Sequence, residues 1–185
     1  MATEVSICSN ALRKLGDDPI TSLADNTERA RLCNSFYESS RDSCLRTHPW
    51  NFAITRAALT QLSTTPAYGF SYCLRVLEME YQDYIFKVEN LATEGRVLLT
   101  DEGTAKILYI AKITNTTLFD PLFVDLLTAK LATDLAYAIT GSLKVQEQMY
   151  ALYTKKLSEA RSVDGQEGFI DDLVSDTFTD FRKGF

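Results

Sequence analysis

The chain has 185 residues, 45% of them apolar, enough for one domain with a sizeable core and room for an inserted lobe. Its formal charge of -6 and pI near 4.9 exclude a protein that grips nucleic acid by neutralising phosphates along a basic stripe. Four cysteines with no CxxC pair, and a single histidine, exclude the usual zinc spacings.

The opening "MATEVSICSNALRKLG" carries charges among its apolar residues and does not read as a signal peptide. Nor does any segment approach the roughly 20 apolar residues of a membrane helix. The expectation is a protein made, and assembled, in a cytoplasm. Val5, Cys8, Leu12 and Leu15 recur at helical spacing and Gly16 follows as a left-handed cap, which predicts a first helix over Ala2 to Leu15.

"DDPITSLADN" supplies a turn around Pro19, with Asp25 or Asn26 as the expected cap of a second helix. Ala30, Cys33, Tyr37, Cys44 and Leu45 give that helix one buried side. It should run to about Thr47, because Pro49 disfavours helical geometry at His48. Cys33 and Cys44, eleven residues apart on one helix, are separated by about 16 Å and cannot form a disulfide with each other. With Cys8 and Cys73 they read as small buried apolar residues of a reduced protein.

From Asn51 to Ile113 the helical period gives way to β-branched and aromatic residues, punctuated by turns at "TTPAYG", "NLATEG" and "TDEG". Four or five antiparallel strands are expected: Phe52 to Gln61, Phe70 to Met79, Tyr84 to Glu89, Arg96 to Leu99 and Lys106 to Ile113. In the last, Ile107, Tyr109, Ala111 and Ile113 alternate with Lys106 and Lys112, the pattern of a half-buried strand. Helix resumes at "FDPLF", where Asp120 can cap and Pro121 suits the first helical position. Phe123, Leu127, Leu131, Leu135 and Ala138, widened by Leu122, Leu126 and Ile139, predict a helix with more than one neighbour. After "TGS" a fourth helix carries Tyr150, Tyr153, Leu157 and Ala160 on one side.

The predicted fold class is therefore α+β. Residues 1–50 and 116–163 supply two helix pairs that close as a four-helix bundle, and residues 51–115 form a small antiparallel β lobe inserted between them. Residues 164–185 are different. Six acids (Asp164, Glu167, Asp171, Asp172, Asp176 and Asp180) oppose only Arg182 and Lys183 there, with Phe169, Ile170, Leu173, Val174, Phe178, Phe181 and Phe185 between them. A disordered acidic tail is one reading; an arm that becomes ordered on another subunit or partner is the other. Seven large apolar residues in twenty-two favour the arm.

One stretch, "RTHPWNFAITRAAL", holds the only histidine and the only tryptophan. A catalytic His48 would need a nucleophile and an orienting group within hydrogen-bond reach, and the chain has no GxSxG, HExxH, P-loop or GxGxxG. Carboxylate neighbours such as Asp17 with Asp18, Asp101 with Glu102, and Asp171 with Asp172 lie in turn-like or tail sequence and read as solvated. Arg46 and Arg56, with two aromatics between them, are too few for a strand-binding platform. His48, Pro49, Trp50 and Phe52 are instead expected to form a structural joint between helix and strand, the two large rings wedging the sheet against the helices. No catalytic residue, metal ligand or cofactor site is predicted.

The segment "ALRKLGDDPITSLADNTERARLCNSFYESSRDSCLRTHPWNFA" resembles the opening of the tail tubular protein A family, the head-to-tail adaptors or gatekeepers of short-tailed phages. The likeness rests on Ala11-Leu12, Leu15-Gly16, Pro19-Ile20, Ser22-Leu23, a long helix with Ala30, Cys33, Tyr37 and Arg41, and His48-Pro49-Trp50-Asn51-Phe52-Ala53. It continues through "CLRVL", "GRVLLTDE", "LYI" and "FDPLFVDLLTAKLATDLA", covering about residues 7 to 162. The chain departs from many relatives in reading "GFSYCLRV" where they carry a leucine-proline dipeptide before the strand. The resemblance implies a virion protein: a ring of twelve identical subunits beneath the portal protein, with a nozzle protein similar to tail tubular protein B below and DNA passing through the lumen without specific binding. The residues after Asp164 lie outside that likeness; read as part of a structural module, their Phe169, Ile170, Leu173, Phe178, Phe181 and Phe185 are expected to be a docking arm for the portal or a neighbouring subunit. Alternatives of other kinds are a virion-associated cell-wall glycan hydrolase and a connector of another phage or prophage tail type.

Overall fold

The computed structural model describes residues 2–61, 67–69, 73–79, 87–91, 95–99 and 105–167. The expected arm beyond residue 167, and much of the three turns in the β region, lie outside them. Four helices and an antiparallel sheet make up the rest, an α+β architecture.

Helix α1 spans Glu4–Lys14, and its Thr3 cap exchanges hydrogen bonds with Ser6 in a capping box. At its far end Gly16, at φ 79°, lets the Gly16 and Asp17 amides reach back to the Arg13 and Leu12 carbonyls. That Schellman closure needs the left-handed conformation expected of Gly16. Helix α2 spans Glu28–Thr47. Its cap is Thr27, whose hydroxyl accepts from the Ala30 amide, and not Asp25 or Asn26. Asp25 closes the preceding turn instead, accepting from the Thr21 hydroxyl and from the Thr21 and Ser22 amides. Those bonds hold its carboxyl below the usual range, the Thr21 hydroxyl contributing most.

Helix α3 spans Pro121–Thr140, capped by Asp120 on the Leu122 and Phe123 amides, with Pro121 first in the helix as expected. It ends at Gly141, at φ 66°. Helix α4 spans Leu143–Glu167. It therefore runs past the expected boundary at residue 163 and takes Asp164 out of the arm.

Helix α3 packs against α1, α2 and α4, and the main core gathers around it. Ile7, Cys8, Leu12, Cys33, Leu45, Phe123, Leu127 and Leu131 are sealed from solvent within it. Ala138, expected on the buried stripe, is exposed. Between α2 and α3, Ser40 donates to Asp134 (2.7 Å), and Asp134 also holds Lys130 one turn back (2.5 Å).

Among the described residues six strands form the sheet, one more than the upper expectation: β1 Ile54–Gln61, β2 Ala67–Gly69, β3 Cys73–Met79, β4 Lys87–Leu91, β5 Gly95–Leu99 and β6 Ala105–Ala111. Their order is β3-β6-β1-β2-β5-β4, every pairing antiparallel. Among the described residues β1 lies against β6 along six residue pairs and meets β2 through two, Thr60 with Gly69 and Gln61 with Tyr68. Phe52 and Ala53, expected at the start of the first strand, lie instead with Asn51 in a 3-10 turn. The simple alternation expected in β6 also fails: Ile110 enters the helical core, while Ile107, on the opposite face of the strand, is buried outside that cluster.

Candidate functional site

The junction where α2 becomes β1 concentrates the unusual residues of the chain. Pro49 removes helical geometry from His48, which is extended at φ -149° and ψ 148° and ends α2. The terminal carbonyls of the helix then need donors from elsewhere. Trp50 supplies one: its indole Nε1 donates to the Cys44 carbonyl at 3.0 Å, where the Thr47 hydroxyl also donates at 2.7 Å. The Trp50 carbonyl in turn accepts from the Ala53 and Ile54 amides, forming the short turn that launches β1.

Trp50 is only 1% exposed, and its ring is the hub of an aromatic cluster. His48 meets it edge-on at 4.8 Å, Phe123 edge-on at 5.4 Å and Phe52 in a stack at 6.4 Å between centroids. Phe52 continues to Phe123 (5.0 Å) and Phe119 (6.0 Å), and those two rings meet at 5.1 Å. Each pair adds about 0.5–1.5 kcal/mol beyond its buried area. The sequence-predicted joint of His48, Pro49, Trp50 and Phe52 is thus brought together, and Phe119 and Phe123 complete it from the start of α3.

Sequence reasoning missed the other half of the junction, which comes from the last turns of α4. Asp164 Oδ2 lies 3.0 Å from His48 Nε2, and its carboxylate accepts from the Asn51 amide at 3.1 Å. The Asn51 side-chain amide donates to the Asp164 backbone carbonyl at 2.7 Å. A carboxylate is an acceptor only, so the proton of this His48–Asp164 contact sits on Nε2. Arg161, one turn earlier, donates to the Thr47 carbonyl at 2.6 Å. His48 and Asp164 side chains are 21% and 12% exposed, so the clamp is shielded but not sealed. An unpaired tail acid offers no signal of this in sequence; a spacing of 116 residues separates the partners.

The sheet's exit is tied down as well. Lys112, just after β6, pairs with Glu38 (2.6 Å) and Asp42 (3.0 Å) of α2. Asp42 is shared with the buried Arg41 guanidinium at 2.7 Å. The Lys112 hydrogen bond holds Glu38 below the usual carboxylate range, and the bonds to Glu38 and Asp42 raise Lys112. Both ends of the β excursion are therefore fastened to helices by charged groups.

A histidine held by a carboxylate is part of a nucleophile-activating array, but a third member is needed. Among the described residues no hydroxyl or thiol is hydrogen-bonded to His48, and no group of three or more metal-ligating side chains occurs. Cys8, Cys33 and Cys44 are free and buried. The Cys8 thiol, influenced by the neighbouring Cys33 thiol and buried, is pushed well above its ordinary value, and burial raises Cys44 to about 12. Among the described residues no helix is long and apolar enough to cross a membrane. The chain matches no protein-family model and no curated protein.

Proposed function

We propose that this chain is a structural head-to-tail adaptor of a phage virion, a ring-forming subunit between portal and tail nozzle. In this reading the helices form the bundle, the sheet is a lobe inserted into it, and the residues after α4 form an arm. The observation that carries it is the His48–Ala53 signature. Its residues act as a weld: Trp50 and Phe52 fill the seam between sheet and α3, while His48 and Asn51 receive the end of α4. A subunit that fixes the pose of a lobe on a helical body suits repeated head-to-tail contacts, in which one patch must meet a different patch on the next copy. The net negative charge suits a channel that lets DNA slide past without sticking.

The test is negative-stain imaging of the purified protein alone and mixed with the portal of its own phage. Twelvefold rings on the portal are expected. A protein that leaves the portal bare, yet clears purified peptidoglycan, would overturn the reading. A chain ended after Gly168 should keep its helical body and fail to attach, because Phe169, Ile170, Leu173, Phe178, Phe181 and Phe185 are the proposed docking residues.

A further inference from the structure

Helix α4 continues about two turns past the point where its apolar packing stops. Ala160 is its last buried residue, and among the described residues the core cluster and the apolar side chains packed on it include no position from 161 to 167. A helix end without apolar burial frays unless polar bonds hold it.

Four contacts hold this one. Arg161 donates to the Thr47 carbonyl at 2.6 Å. The Asp164 carboxylate accepts from the Asn51 amide at 3.1 Å and from His48 Nε2 at 3.0 Å, while the Asp164 backbone carbonyl accepts from the Asn51 side chain at 2.7 Å. Thr47, His48 and Asn51 lie within five residues of one another, where α2 ends and the turn into β1 begins. Four bonds from one helix end to one short stretch form and break together, because each places the groups that make the next.

Gly165 sits inside these turns, beside Asp164. It does not adopt the positive φ of Gly16 and Gly141, and a Cβ added to it would meet nothing within 4 Å. Neither conformation nor space calls for glycine there, and in a helix interior glycine is weaker than alanine because it loses more backbone freedom on ordering. Its presence lowers the cost of opening these turns.

We infer that residues 161–167 are a latch that leaves and rejoins the body as one unit, with the core closed throughout, and so sets whether the root of the sheet is held by α4. Closed, the latch gives Thr47, His48 and Asn51 their α4 partners. Open, it returns those groups to water, and the sheet keeps its aromatic seam with α3 and its Lys112 tie to α2. The end of α4 and the start of the sheet are thereby coupled in both directions: whatever draws residues 161–167 away loosens the root of the sheet, and a rearrangement of that root frees them. The latch needs no second copy and no portal, so ring formation is a separate measurement.

Amide hydrogen exchange of the full chain, followed residue by residue by NMR, tests this with Gly165→Ala and Arg161→Met. The Asn51 amide is the reporter, because its acceptor is the Asp164 carboxylate. Arg161 reaches Thr47 and Gly165 has no side chain, so neither substitution removes a bond of Asn51. In the wild type, Asn51 and residues 164–167 should share one protection factor, well below those of Leu127 and Leu131 in α3. Gly165→Ala should raise that shared factor about fivefold and Arg161→Met should lower it about fivefold, with α3 unchanged. Rates that climb steadily toward residue 167, with Asn51 unmoved by both substitutions, overturn the latch. So does an Asn51 amide as protected as those of α3, since the turns would then open only when the whole domain unfolds.

Discussion

Helices α3 and α4 are joined by only Gly141 and Ser142, yet they live in different surroundings. Ten residues of α3 are buried, on every side of the helix, because α1, α2 and α4 all lean on it and the aromatic joint closes its start. Helix α4 is five residues longer and buries only Ala160. Tyr150 and Leu143, both large, stand 61% and 64% exposed. The difference teaches that helices of similar length can divide their tasks: one is the post around which the domain closes, the other a wall with a free outer side.

Substitutions can break or sharpen that contrast. Trp50→Ala removes the ring that seals the start of α3 and leaves the Cys44 carbonyl with one donor fewer. A loss of about 3–5 kcal/mol is expected, a fall in Tm on the order of 10 °C by calorimetry. Leu131→Ala in α3 should cost about 2–5 kcal/mol in a urea titration. Leu143→Ala in α4, the same change at an exposed position, should stay within about 0.5 kcal/mol. Equal effects at the two sites would end the contrast.

Asp164→Ala tests the polar fastening at the end of α4. Its hydrogen bonds to His48 and Asn51 are partly shielded, and a loss of about 1–2 kcal/mol is expected. Hydrogen exchange should quicken at Asn51 and in the last turns of α4 while α3 stays protected. The smallest effect concerns pH. Glu38 and Asp25 are both held below the usual carboxylate range, by Lys112 and by Thr21 foremost. A lowered folded pKa gives stability that is present above the unfolded value and lost as pH falls through the folded one. Tm should therefore decline below about pH 4.5, and less steeply in Lys112→Met, where Glu38 has lost its main partner.

Much of the fold was legible because it rests on local chemistry. Gly16, Pro49, Asp120 and Pro121 act through their own backbone or the next few residues, and each helix end they predict is where the structure has it. The buried side of α2 follows from its spacing for the same reason. Failures occur where the partner is distant or two groups compete. Thr27 displaced Asp25 and Asn26 as a cap because Asp25 was already engaged with Thr21 and Ser22. Ile110 sits in the helical core although a one-sided alternation assigns the buried face to Ile107. The site was half legible: Pro49 and the two large rings announce a joint, whereas Asp164 reads as one more acid of an acidic tail until the fold carries it across to His48.

The position of that clamp gives the molecule a load path. Asp164 lies one turn before the last residue of α4, and its partner Asn51 lies three residues before the first of β1. Tension applied to the chain after residue 167 meets the Asp164–Asn51 and Arg161–Thr47 bonds first, at the root of the sheet, before it can peel α4 from α3. The end of the last helix and the beginning of the first strand are, mechanically, one anchor point.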